Sequence, residues 1–157
     1  MVTLARRAGT HAGFTLPEMM ATVAIIGTLA AIAVPAFGPL VAGQRARSAS
    51  SELYASLNRA RSEAIKRNAE VTLRPASAGR WADGWTIVNA SETRPVEVHG
   101  AVKGATLTGP TAVTYLPNGR VKATEAPSFE LSFAQLANRR CVQVDLSGRP
   151  YMKASAC

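Results

Sequence analysis

Hydrophobic residues are concentrated in one long stretch near the start of the chain. No charged residue occurs from Met19 to Gln44, a run of 26 positions in which alanine, isoleucine, valine and leucine dominate. A helix of about 20 apolar residues is long enough to cross the hydrocarbon core of a bilayer. The run therefore predicts a membrane-spanning helix. Pro35 should kink or loosen it, because proline removes a backbone hydrogen bond and crowds the preceding turn.

After Gly43 the pattern changes to that of an amphipathic helix. Apolar side chains recur at spacings of three and four residues, and charged side chains fill many of the positions between them. This periodicity predicts a helix over residues 44–68 with a single apolar stripe. The stripe is formed by Leu53, Leu57, Ala60, Ala64 and Ile65. It has to be covered, and the rest of the chain supplies the cover.

From Val71 onward, short runs rich in β-branched and aromatic residues alternate with turn-forming residues. Seven runs predict strands: Val71–Leu73, Trp85–Val88, Pro95–Val98, Thr106–Thr108, Ala112–Leu116, Ser128–Phe133 and Cys141–Leu146. Asn118-Gly119 and Ser147-Gly148 predict turns between strands. The expected fold class is α+β, with a long N-terminal α-helix packed on a C-terminal antiparallel β domain over residues 70–157.

The N-terminal residues admit three interpretations. A secretory signal peptide has an apolar centre of about 7–15 residues, and the run found here is nearly twice as long. A plain membrane anchor fits the length but does not account for Glu18 at its entrance. The third interpretation is a prepilin leader, because the segment from Gly13 to Leu16 followed by Glu18 resembles the prepilin peptidase site of type IV pilins.

The resemblance to this class III leader implies cleavage after Gly13 and N-methylation of the new terminal residue, Phe14. It divides the chain into a leader peptide over residues 1–13, a transmembrane and filament-core helix over residues 14–43, and a periplasmic globular domain over residues 44–157. Pro17 departs from the leucine or isoleucine common at its position. Proline is tolerated in a first helical turn, so the departure does not weaken the assignment.

Glu18 and Pro35 acquire roles in assembly from the same resemblance. A carboxylate in apolar surroundings is costly unless it is paired. In a filament, Glu18 of an incoming subunit is expected to pair with the cationic amine of Phe14 of its neighbour. The alternative is that Glu18 rests at the level of the lipid headgroups. Pilins carry a similar helix-breaking proline at this distance from the cut, which implies local melting of the helix in the filament.

Four later groups of residues resemble the GspH/FimT family of minor pilins and pseudopilins. They are Val71–Pro75, Trp81–Trp85, Tyr115–Arg120, and Arg139–Val142 followed by Leu146–Arg149. The resemblance implies a subunit that primes or caps a filament and spans the bacterial inner membrane once, with its C-terminal domain in the periplasm. The implied partners are other minor and major pilins or pseudopilins, the prepilin peptidase and the inner-membrane assembly platform. The terminal cysteines and basic tail favour a type IV pilus, and a type II secretion pseudopilus is the alternative.

The net charge of +8 on 157 residues is compatible with nucleic acid, anionic lipid or acidic protein as a partner. Some FimT-like pilins bind DNA through a Gly-Arg-x-Arg motif in their last strands. Gly148 and Arg149 match this motif, whereas Tyr151 replaces its second arginine. If the segment is extended, Arg149, Tyr151 and Lys153 share one face, which suits phosphates and an exposed base.

Arg139 and Arg140 are expected near this basic strand. The alternative is that all of these side chains are solvated charges on a basic domain. DNA is therefore a candidate partner whose binding should be weak, salt-dependent and largely independent of sequence.

Cys141 and Cys157 are the two cysteines of the chain. An exported domain meets an oxidising compartment, which predicts a disulfide between them, and two thiols are the alternative. Two histidines without a cysteine–histidine cluster give too few ligands for a structural zinc site. No metal and no cofactor are expected.

Catalysis is not expected either. The chain has no His-Glu-x-x-His sequence, no nucleophile elbow and no phosphate-binding glycine loop. Asp83-Gly84 is interpreted as a turn. Trp81 and Trp85 are interpreted as core residues and not as a ligand cage.

Overall fold

The computed structural model describes residues 13–134 and 136–157, except for the side chains of Pro35 and Ala36. It contains two compact units, and the boundary between them falls between Phe37 and Gly38. Helix α1 is assigned over Leu16–Arg67 and contributes residues to both units. Antiparallel sheets follow the helix, so the predicted α+β class is confirmed.

The first unit contains the apolar part of α1. Its segment Leu16–Val34 is long and apolar enough to span a membrane, and none of it is buried. The hydroxyls of Thr22 and Thr28 donate to carbonyl oxygens three residues earlier, at 2.9 and 2.8 Å. These hydrogen bonds reduce the cost of placing the two hydroxyls in lipid. Pro35 lies within α1. Local melting of the helix at this proline in a filament stays a prediction.

The second unit begins at Gly38 and buries the amphipathic part of α1. Four of the five predicted stripe residues, Leu53, Leu57, Ala60 and Ala64, are fully buried. The stripe also continues toward the N-terminus through Ala42, Ala46 and Ala49. The prediction for Ile65 is wrong, since its side chain is 51% exposed. A residue that directly follows a stripe position is rotated by about 100° around the helix, which turns Ile65 off the stripe.

Eight strands follow α1 within the described residues. They are β1 Val71–Ser77, β2 Arg80–Asn89, β3 Glu97–His99, β4 Ala105–Thr108, β5 Val113–Tyr115, β6 Ser128–Phe133, β7 Arg140–Val144 and β8 Pro150–Lys153. They form two four-stranded antiparallel sheets, with strand orders β3-β2-β1-β5 and β4-β6-β7-β8. Each predicted run coincides at least in part with a strand, and β8 contains most of the segment whose extension was only conditional.

The two tryptophans lie in the core, as predicted from the sequence. Both are fully buried, and each indole N–H has an acceptor: Trp81 donates to the Pro110 carbonyl at 2.7 Å and Trp85 to the Ser56 hydroxyl at 2.9 Å. The Trp81 ring also meets Phe129 of β6 edge to face, with the centroids 4.8 Å apart. The tryptophans thereby connect α1 and both sheets, which is the role of core residues and not of a ligand cage.

The interpretation of Asp83-Gly84 as a turn is wrong, because both residues lie inside β2. Gly84 has a φ of +102°, and a Cβ atom there would lie 2.2 Å from the carbonyl oxygen of His99 in β3. Glycine is therefore required by the close approach of the neighbouring strand and not by a chain reversal.

Candidate assembly and binding surfaces

The first residues of the described chain combine an exposed aromatic ring with a helix cap. Phe14 is 76% exposed, and Thr15 stands immediately before the first residue of α1. The Thr15 N–H donates to the Glu18 carboxylate over a long distance of 3.5 Å. This spacing of threonine and glutamate is that of a capping box, in which the glutamate side chain satisfies a free N–H at the helix start.

Glu18 therefore has a contact within its own helix that does not depend on a neighbouring subunit. The sequence analysis missed the capping role, although the Thr-x-x-Glu pattern that signals it is local and readable. The predicted cut follows Gly13, and leader residues 1–12 lie outside the described residues. The pairing of Glu18 with a neighbour's Phe14 amine stays a prediction.

The predicted disulfide between Cys141 and Cys157 is confirmed, with the sulfur atoms 2.11 Å apart. Cys141 belongs to β7 and aligns with Lys153 at the end of β8. The bond therefore returns the C-terminus to the strand beside β8. A role in holding β8 on the sheet is consistent with this geometry.

Strand β8 carries the central part of the predicted DNA-binding surface. Tyr151 and Lys153 are two residues apart in an extended strand and lie on the same face. The Lys153 Nζ atom is 5.3 Å from the centroid of the Tyr151 ring and 3.5 Å from the Gln143 amide oxygen. A cation beside an exposed ring can meet a phosphate and a base of a single strand.

Arg149 lies in the turn before β8 and has an acid close to it. Its backbone N–H donates to the Asp145 carboxylate at 2.9 Å. A hydrogen bond from the Ser147 hydroxyl, together with that from Arg149, holds the pKa of Asp145 below its usual range. Asp145 consequently stays anionic near neutral pH and weakens the positive potential around this turn.

Of Arg139 and Arg140, the structure brings only Arg139 to the face of the sheet that carries Tyr151 and Lys153. Arg139 pairs with Glu130 at 2.6 Å, and Glu130 aligns with Cys141, the residue opposite Lys153. Arg140 aligns instead with buried Leu131. Because side chains alternate along a strand, Arg140 leaves toward the other side of the sheet.

Gly148 has a packing role that the sequence does not reveal. Its φ is +86°, and a Cβ atom there would lie 1.9 Å from the carbonyl oxygen of Gly119. The two predicted glycine turns are therefore packed directly against each other. Arg61 of α1 reaches the same place and donates to the Ser147 carbonyl at 3.3 Å. No signal within either turn indicates this contact, since the glycines are 29 residues apart.

An exposed apolar helix that leads into a two-sheet domain, with a prepilin-type sequence at its start, defines a pilin-like subunit. Residues 10–34 match the prokaryotic N-terminal methylation motif. Residues 49–148 match the family described as type II transport protein GspH. The chain belongs to the GspH family, as the resemblance implied. The family and the structural neighbours below are structural subunits and not enzymes.

Solved structures of two minor subunits share the fold. The type IV minor pilin FimU of Pseudomonas aeruginosa, in two crystal forms, is 24% and 25% identical with TM-scores of 0.60 and 0.62. The matches cover 68% and 70% of this chain and 91% and 89% of FimU. The minor pseudopilin EpsH of the Vibrio cholerae type 2 secretion system is 13% identical with a TM-score of 0.53, over 70% of this chain and 97% of EpsH. No curated protein matches significantly.

Proposed function

We propose that this chain is a minor subunit of a type IV pilus that primes or caps the filament. The observation that carries the proposal is the apolar segment of α1, none of which is buried although it spans Leu16–Val34. Such a surface needs lipid before assembly and neighbouring helices afterwards. The prepilin-type start of the chain supplies the processing step between these two environments.

The cellular setting follows from the same proposal. Before assembly the chain crosses the bacterial inner membrane once, with residues 44–157 in the periplasm. The prepilin peptidase removes residues 1–13, and the inner-membrane assembly platform transfers the mature chain to other minor and major pilins.

A type II secretion pseudopilus is the second candidate. The description of the matching family as a type II transport protein favours it, whereas the higher TM-scores and identities to FimU than to EpsH support the pilus. Co-purification of the chain with pilus or with secretion subunits distinguishes the two filaments.

Processing is the direct test of the proposal. Mature protein isolated from its own membrane should begin at Phe14 and carry one additional methyl group at its N-terminus. Intact mass and N-terminal peptide sequencing measure both features. A chain that retains Met1, or that is trimmed at another bond, would contradict a role in filament assembly and would support a membrane-tethered binding protein.

We also propose weak binding of single-stranded DNA along β8. Arg149 and Lys153 supply cations, and Tyr151 is 37% exposed and supplies a ring for stacking. The acids Asp145 and Glu130 near this surface limit its affinity, since each offsets one positive charge. A low-affinity site that depends on salt is the expected result.

The double variant Arg149→Ala/Lys153→Ala should weaken this binding and reduce its salt dependence. Each lost contact lowers the slope of log K against log salt by about 0.7 for single strands. Fluorescence anisotropy of a labelled oligonucleotide with the full chain in neutral detergent measures the slope. Arg74→Ala/Arg94→Ala is the matched control, because it removes two other exposed arginines that have no ion pair among the described residues. Equal slopes for the two variants would exclude β8 as the binding surface.

A further inference from the structure

Three cations surround the end of the globular unit that is nearest in sequence to the apolar segment. Arg45 and Arg47 lie on α1, and Lys103 lies on the loop between β3 and β4; all three are exposed. We call them the basic collar. Within residues 13–134 and 136–157, none of the three forms an ion pair with a carboxylate.

The collar reaches around α1 and does not form a single stripe. Arg45 and Arg47 are two residues apart, which places them about 200° apart around the helix axis. Lys103 lines the same open cleft of about 310 Å³ as Arg45. Cations consequently face outward on more than one side of the helix.

The loop that carries Lys103 is held against α1 by His99. The imidazole of His99 stacks on Trp85 with the ring centroids 4.0 Å apart. Its Nε2 atom is 3.1 Å from the Glu52 carboxylate of α1, and its Nδ1 atom is 2.8 Å from the Gly100 carbonyl. These contacts fix the start of the loop against α1, and Lys103 on that loop lines the same cleft as Arg45.

The acid in this cleft is engaged by other groups. Glu52 accepts a hydrogen bond from the Ser48 hydroxyl at 2.8 Å and lies beside His99. Its carboxylate is thus directed to neighbours other than Arg45 and Lys103. The collar keeps an excess of positive charge on a surface that an anion can approach.

Arg45 and Arg47 are the first charged residues after the uncharged run that ends at Gln44. A hydrocarbon core of about 30 Å takes up about 20 helical residues. Counted from Met19, where the uncharged run begins, these 20 residues end at Gly38. Arg45 follows Gly38 by seven residues, or about 10 Å of helix. The polar headgroup region adds about 5–8 Å on each side of the core, and a long arginine side chain can bridge the remaining distance.

We propose that the basic collar binds the phosphate groups of anionic phospholipids while the chain is anchored in the bilayer; this inference rests on the membrane anchoring proposed above. Each lysine or arginine near an anionic surface strengthens association about fivefold, so the three together contribute about a hundredfold. Extraction into a filament has to break these contacts. The collar therefore holds the globular unit at the membrane until assembly begins.

A spin label in the globular unit tests the proposal on the full chain in vesicles. Thr106→Cys provides one exposed thiol outside the cleft, because the native cysteines are bonded to each other. The vesicles contain phosphatidylcholine alone or mixed with phosphatidylglycerol, and the label is relaxed by nickel chelated to a lipid headgroup. Relaxation should be greater in the anionic vesicles and should fall with added salt. In the triple variant Arg45→Gln/Arg47→Gln/Lys103→Gln, the equilibrium constant for association of the globular unit with the lipid headgroups should fall about a hundredfold.

The matched control is Arg74→Gln/Arg94→Gln/Arg120→Gln, which removes the same charge from exposed positions outside the collar. It should keep the response to anionic lipid. Equal relaxation in the two kinds of vesicle, as expected if the collar binds a protein, would overturn the proposal, and so would equal losses in the two variants. Extraction of the unaltered chain by carbonate would instead refute membrane anchoring, which separates the two failures.

Discussion

Replacing Glu18 with alanine is expected to lower incorporation of the chain into filaments at least about a hundredfold, while cleavage, methylation and membrane insertion continue. Removing one partner of a buried ion pair costs about 3–5 kcal/mol, and about 1.4 kcal/mol corresponds to a factor of ten. The proposed partner is the Phe14 amine of the neighbouring subunit. Immunoblots of sheared filaments and of membranes, in a strain without the native copy, measure the ratio of assembled to membrane-held chain.

A glutamine at the same position separates pairing from helix capping. The Glu18 carboxylate also accepts the N–H of Thr15 at 3.5 Å, and glutamine can accept this hydrogen bond at the third helical position. Glu18→Gln keeps the cap but removes the charge. Its incorporation into filaments should therefore be lowered as much as that of Glu18→Ala. Normal incorporation of Glu18→Gln would show that capping, and not pairing between subunits, is the role of this residue.

The parts of the fold that depend on local patterns could be predicted from the sequence. The spacing of Leu53, Leu57, Ala60 and Ala64 determines which side of α1 is covered, since helical periodicity repeats within a few residues. Ile65 is also apolar, but it directly follows Ala64 and is therefore rotated away from the stripe. Its exposure shows that angular position along a helix is the stronger criterion.

Features that depend on distant neighbours could not be predicted in this way. Asp83-Gly84 has the composition of a hairpin turn, but the close approach of the His99 carbonyl explains why Gly84 is a glycine. That approach results from the pairing of β2 with β3, and strand register is not visible in either segment alone.

The candidate sites also differ in whether their residues are neighbours in the sequence or are brought together only by the fold. Gly13, Phe14 and Glu18, which are proposed for processing and assembly, lie in one contiguous stretch, so a local sequence motif is enough to predict them. The basic surface combines β7 and β8, and its membership depends on register. Arg139 and Arg140 are adjacent in sequence, yet only Arg139 is held on the face of Lys153, through Glu130. The basic collar was not predicted, because Lys103 is far from Arg45 and Arg47 in the chain.

Replacing Gly148 with alanine is expected to destabilise the globular unit by about 3 kcal/mol or more, a large effect for one methyl group. The added Cβ atom would lie 1.9 Å from the Gly119 carbonyl oxygen and 3.3 Å from the Arg120 Cα atom. Both contacts are with backbone, so no side-chain rotation relieves them, and the two turns have to separate. The midpoint of thermal unfolding should fall by about 10 °C or more. Circular dichroism as a function of temperature measures this midpoint.

Gly79→Ala distinguishes this contact from backbone strain alone. Gly79 also has a positive φ, +71°, but a Cβ atom there meets nothing within 4 Å. Its substitution should cost only about 1–2 kcal/mol, the usual penalty for a left-handed conformation of a residue with a side chain. Equal losses of stability for Gly79→Ala and Gly148→Ala would mean that the packing of Gly148 on Gly119 contributes nothing. A much larger loss at Gly148 would show that the close packing of the two turns requires this glycine.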